Sequence, residues 1–113
     1  MITRKNEHPI EVREHMRGGE GNVLMSALMP TLPAKMRVFS TITLAPGTSI
    51  GYHVHENETE LFYFVTGSGR VQDDDAFYDV EAGDAMSTSG GHGHGVMNTG
   101  KTDLVMVAAI VKD

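Results

Sequence analysis

The chain has 113 residues, 40 % of them hydrophobic, and a formal net charge of −6 from 9 Lys+Arg against 15 Asp+Glu. That length fits one domain, and an acidic chain with no basic cluster is poorly suited to nucleic acid or anionic lipid. No cysteine is present, which excludes disulfides and thiolate ligands. With no apolar leader and no run near the roughly 20 residues of a membrane span, a soluble cytoplasmic protein with no membrane partner is expected.

Residues 1–21 are polar and end in Gly18-Gly19-Glu20-Gly21, so they read as an irregular N-terminal segment before a single barrel domain over 22–113. Residues 22–29 (NVLMSALM) form the first apolar segment, closed by Pro30 and Pro33. Residues 36–44 (MRVFSTITL) alternate and are β-branched, the signature of a strand. After the Pro46-Gly47 turn, 50–55 and 60–66 read as strands, and Leu61-Phe62-Tyr63-Phe64-Val65 is apolar on both faces, which predicts cover on both sides. Short strands follow at 70–72, 77–80, 85–88 and 96–98, with Asp73-Asp74-Asp75 as a hairpin tip. The closing strand is 104–111 (LVMVAAIV), again apolar throughout. About nine short strands without a convincing helix predict an all-β sandwich or barrel.

Chemistry concentrates in one stretch. His53 and His55, two apart on a strand, point to one face. Glu60 follows across a short turn and His94 lies in a later Gly-rich run. Three imidazole nitrogens and one carboxylate oxygen suit a divalent transition metal. If His53 faces inward, strand parity brings Gly51 with it, leaving room beside the metal. Phe62 and Phe64 share the face of Glu60, and Asn98 shares that of His94. On 36–44 two phases are open: Arg37, Phe39 and Thr41 inward, or Val38, Ser40 and Ile42. An inward Arg37 is a natural anchor for a substrate carboxylate. His92 at the barrel mouth and Tyr52 are the two acid/base candidates.

The pattern Gly47-x5-His53-x-His55-x4-Glu60-x6-Gly67 resembles the first motif of the cupin superfamily at every position. Gly83-x5-Ser89-x-Gly91-x2-His94-x3-Asn98 resembles the second, with Ser89 where the family usually has proline. The resemblance implies a double-stranded β-helix, or jelly-roll, with the metal inside the barrel on His53, His55, Glu60 and His94. Family members use manganese, iron, nickel, zinc or copper. The segments 89–94 and 98–104 look like those of small single-domain cupins of the oxalate decarboxylase-like group. Oxalate-cleaving members, however, carry arginine three residues before the first histidine, and here that position is Ile50.

Two functions follow as expectations. The first is a metal-dependent enzyme of decarboxylase, isomerase or dioxygenase type, acting on a small carboxylate or hydroxy-carbonyl compound. The second is a non-catalytic module that binds or senses a small molecule in the same pocket. A homodimer is also expected, with 22–29 as the candidate exchanged strand. Metal is expected to leave on mild acidification, near or below the ordinary histidine pKa of roughly 6.5.

Overall fold

The computed structural model describes residues 1–113 and contains ten strands in two antiparallel sheets. They are β1 (Glu11–Glu14), β2 (Asn22–Ala27), β3 (Met36–Leu44), β4 (Ser49–Val54), β5 (Glu58–Thr66), β6 (Ser68–Asp73), β7 (Ala76–Glu81), β8 (Ala85–Thr88), β9 (Gly93–Met97) and β10 (Leu104–Lys112). The first sheet runs β1-β2-β3-β10-β5-β8 and the second β4-β9-β6-β7. This is the expected all-β, double-stranded β-helix architecture. Apart from two single-turn 3-10 segments it has no helix, and none is long and apolar enough to cross a membrane.

One strand was not legible in the sequence. The segment over 1–21 is not wholly irregular: Glu11–Glu14 pairs with β2, Val12 opposite Leu24. All four of its residues are exposed, so it carries no apolar alternation, and backbone pairing to the edge of β2 alone makes it a strand.

Burial alternates along the long strands, most regularly on β10, where Leu104, Met106, Ala108 and Ile110 turn inward. Leu104, Met106 and Ala108 meet Ile42 and Leu44 of β3, Phe62 and Phe64 of β5, and Val71, Val96 and Ile50 from the second sheet in one core cluster. Along β5 the interior passes from Phe64 through Phe62 to Glu60, so the barrel is apolar at one end and polar at the other. The glycines of both sequence motifs, Gly47, Gly67, Gly83 and Gly91, all have φ between 82° and 98°. This left-handed region penalises a Cβ, which is why the motifs require glycine there.

The open phase of β3 resolves in favour of Ser40 and Ile42 inward. Arg37 and Phe39 therefore do not line the barrel. Phe39 joins the outer face of the six-stranded sheet, opposite Ala109. The outer side chains of β5 are not covered within the chain: Leu61 is 44 %, Tyr63 52 % and Val65 42 % exposed.

Candidate metal centre

His53 is on β4, His55 just beyond it, Glu60 on β5 and His94 on β9. Their donor atoms all lie within 4.8 Å of one another. The β4–β9 pairing sets His53 opposite His94. The loop before β9 then fixes the backbone of His55, whose N–H donates to the His92 carbonyl (3.0 Å) while its carbonyl accepts from Gly91 N–H (2.7 Å). Glu60 enters from the other sheet, where β5 holds it between Ile110 and Thr88. Two sheets thus converge on one point.

The rings are mutually edge-on, with centroids 4.8–4.9 Å apart. Phe62 lies flat on His94, 5.0 Å between centroids at 8°. Phe64 is fully buried in the core cluster and makes an edge contact with Phe62.

Each imidazole has its Nδ1 engaged. His53 Nδ1–H donates to the Gly51 carbonyl (2.8 Å) and His55 Nδ1–H to Glu58 Oε2 (2.7 Å). His94 Nδ1 meets Thr88 Oγ1 at 2.7 Å. A carbonyl and a carboxylate only accept, so Nδ1 bears the proton of the neutral His53 and His55 rings, and in that form Nε2 is the free donor atom. Burial also holds the His53 pKa below its ordinary value, against the opposing pull of the Gly51 carbonyl.

These donors fit a cation. Nε2 of His55 stands 3.0 Å from Glu60 Oε1 and 3.1 Å from Nε2 of His94, which is itself 2.9 Å from Glu60 Oε1. A lone pair facing a carboxylate and a second imidazole is repulsive, and a single proton on His94 relieves only part of it. Three donors about 2.1 Å from one ion and at right angles to one another stand about 3 Å apart, which is the edge of this triangle.

Other candidates fall outside this group. Asn98 is buried, but its amide donates to the carbonyls of Leu44 (2.8 Å) and Thr102 (2.9 Å) and its oxygen accepts from Gly100 N–H (2.8 Å). It clamps the turn after β9 and has no polar atom left for a ligand. Tyr52 is turned away from the barrel interior, its ring packed where a Cβ on Gly93 would be. Gly51 does not open space beside the metal. A register shift between Ile50 and His53 breaks the parity of β4, and a Cβ on Gly51 would instead overlap the Arg17 carbonyl and crowd the backbone of Gly19.

His92 is 56 % exposed, and its Nδ1 sits 2.6 Å from Asp74 Oδ2. Asp74 also accepts from Gly93 N–H (2.9 Å). That backbone bond, followed by His92, holds the Asp74 carboxyl below the usual range, and Asp74 in turn raises the His92 pKa.

Arg37 has a carboxylate partner within this chain. Its Nε and Nη2 donate to both oxygens of Glu58, at 3.0 and 2.8 Å. Arg37 presses the Glu58 pKa down to about 2. Sequence reasoning missed Glu58 and Thr88. Glu58 shares strand parity with Glu60 and was findable; Thr88 is placed only by the β5–β8 register.

A family model described as a cupin domain matches residues 40–110. This chain belongs to the cupin family. A protein of Thermotoga maritima named oxalate-binding protein is 38 % identical over 113 residues, covering 98 % of this cupin and 93 % of that protein. A crystal structure of a predicted oxalate decarboxylase from Thermotoga maritima superposes with a TM-score of 0.96 at 37 % identity, covering 100 % of both chains. The cupin domain of Schizosaccharomyces pombe Cnp3 shares the fold, with a TM-score of 0.76 at 10 % identity over 91 % of this cupin and 69 % of that chain.

Proposed function

We propose that this cupin holds one divalent transition metal on His53, His55, Glu60 and His94 and uses it to bind a small carboxylate of the oxalate class. The observation that carries the reading is the charge of the interior. The buried polar side chains are Ser40, Ser49, His55, Glu60, Thr88, His94 and Asn98, with no lysine or arginine among them. An anion entering this barrel meets Glu60, and no buried lysine or arginine offsets that charge.

A divalent ion bound there supplies the offsetting charge and a Lewis-acid position for carboxylate oxygens. Manganese, iron, nickel and zinc all suit an N3O set. The chain itself orients three imidazoles through their Nδ1 partners and walls one side with Phe62. The name of the Thermotoga relative supports oxalate as the ligand class.

Binding without turnover is the better supported form. Decarboxylation of oxalate to formate and carbon dioxide needs a proton delivered to carbon. Neither acid/base candidate faces the donor cluster: Tyr52 packs on Gly93 outside it, and His92 is tied to Asp74. Isothermal titration of oxalate into metal-loaded protein, with formate assayed in the same sample, separates the two forms. Saturable binding without formate supports a binder, and formate production supports the enzyme.

The proposal extends to a homodimer in the cytoplasm, formed through the outer face of the six-stranded sheet. Two rows cross that face: Ser87–Leu61–Ala109–Phe39 and Ala85–Tyr63–Val107–Thr41. Neither row holds a charge, and a groove of about 460 Å³ lies between Leu61, Tyr63, Ala85 and Val107. A broad uncharged sheet face of this kind fits a second copy of the chain.

A further inference from the structure

The three histidines are not braced alike. His53 leans on a neutral carbonyl and His94 on a hydroxyl, whereas His55 alone leans on a carboxylate, that of Glu58. That carboxylate is held in turn. Arg37 grips it through two nitrogens, and Glu58 Oε2 is shared between Arg37 Nη2 (2.8 Å) and His55 Nδ1 (2.7 Å). The three side chains run from surface to interior, with Arg37 46 %, Glu58 13 % and His55 3 % exposed.

The backbone holds the same arrangement. Asn57, directly before Glu58, has φ of 58°, and its carbonyl accepts from Asp113 N–H at 3.0 Å. The turn between His55 and Glu58 is therefore pinned by the chain end as well as by the side chains. An isolated surface ion pair contributes little, but a bidentate pair whose shared oxygen also takes a ligand's Nδ1–H fixes a ring.

We propose that Arg37 and Glu58 are positioning residues of the metal centre: from behind the His55 ring they keep its proton on Nδ1 and strengthen Nε2 as a donor. A carboxylate behind a ligating imidazole increases its basicity and locks its orientation. His55 is then the strongest of the three nitrogen donors, and Arg37 acts only through Glu58. The role in metal affinity rests on the metal reading above; the tautomer of His55 does not.

The test uses zinc as probe, competed against a chromophoric chelator, together with nitrogen-15 NMR of the histidine rings in metal-free protein. Glu58→Gln, which keeps shape and one acceptor oxygen, is expected to weaken zinc about 10-fold, and Glu58→Ala up to about 100-fold. Thr88→Val is expected to cost less than Glu58→Ala. Arg37→Met is expected to weaken zinc in the wild-type background and to have no further effect beside Glu58→Ala, a coupling that a merely structural ion pair would not show. Wild-type affinity in Glu58→Ala and Glu58→Gln, or an Arg37→Met loss that persists undiminished beside Glu58→Ala, overturns the proposal. Should the wild type take up no zinc, the metal reading fails and the spectrum still decides the positioning. His55 protonated on Nδ1 in the wild type and redistributed in Glu58→Ala supports it, and His55 protonated on Nε2 in the wild type overturns it.

Discussion

Nε2 of His55 and Nε2 of His94 face each other at 3.1 Å inside the barrel, with both Nδ1 atoms already engaged, on Glu58 and Thr88. With these rings neutral, two Nε2 atoms and the Glu60 carboxylate crowd one point, a conflict that a cation removes. Metal at 1,000 times its dissociation constant stabilises by about 4 kcal/mol, which for a domain this size raises Tm on the order of 10–20 °C. Differential scanning fluorimetry of chelator-treated and zinc-loaded protein checks this, and coincident melting curves would count against the site. Because burial holds His53 below its ordinary pKa, protons compete weakly there, and half-release of metal is expected below pH about 6.5. Full metal retention at pH 4 would contradict the ligand set.

The His92–Asp74 pair gives a separate pH signature. Its hydrogen bond raises the His92 pKa, so the stabilisation is fully present below the unfolded value of about 6.5 and is lost as pH rises through the folded value. Proton NMR titration should show His92 above its ordinary pKa, falling back toward it in Asp74→Asn. His92→Ala should leave metal stoichiometry unchanged. An emptied site in that variant would show that His92 belongs among the ligands.

Gly51 marks a contact on the outside of the barrel. A Cβ there meets the Arg17 carbonyl, so Gly51→Ala should displace the segment around Met16–Gly18. Overpacking of this kind costs about 1–3 kcal/mol. Urea unfolding should show that loss, with metal binding retained by protein that is still folded. Wild-type stability would mean that the segment does not rest on β4.

Leu61 and Tyr63 test the proposed dimer. Tyr63→Glu places a charge in the middle of an uncharged row and should give a monomer by light scattering at micromolar concentration, while the wild type runs as a dimer. A monomeric wild type would remove the pairing.

The two glycine-framed motifs made the barrel and the four donors legible, because ligand spacing along strands is a local property. What the sequence left open depends on register between strands. Arg37 suits either phase of β3; it falls at the register shift between Ile110 and Val111, where it reaches Glu58. Parity places Gly51 inward, and parity fails at the register shift between Ile50 and His53. Glu11–Glu14 lacks the alternation that announces a strand, since every residue in it is exposed. Leu61–Val65 promised cover on both faces, and the single chain covers only one.

The most direct test of the central claim is calorimetric titration of oxalate into zinc-loaded protein, metal-free protein and Glu60→Ala. The account predicts stoichiometric binding to the loaded wild type and none to the other two. Equal binding to metal-free protein would contradict it, because the barrel interior would then hold the anion without the ion that its four donors are arranged to accept.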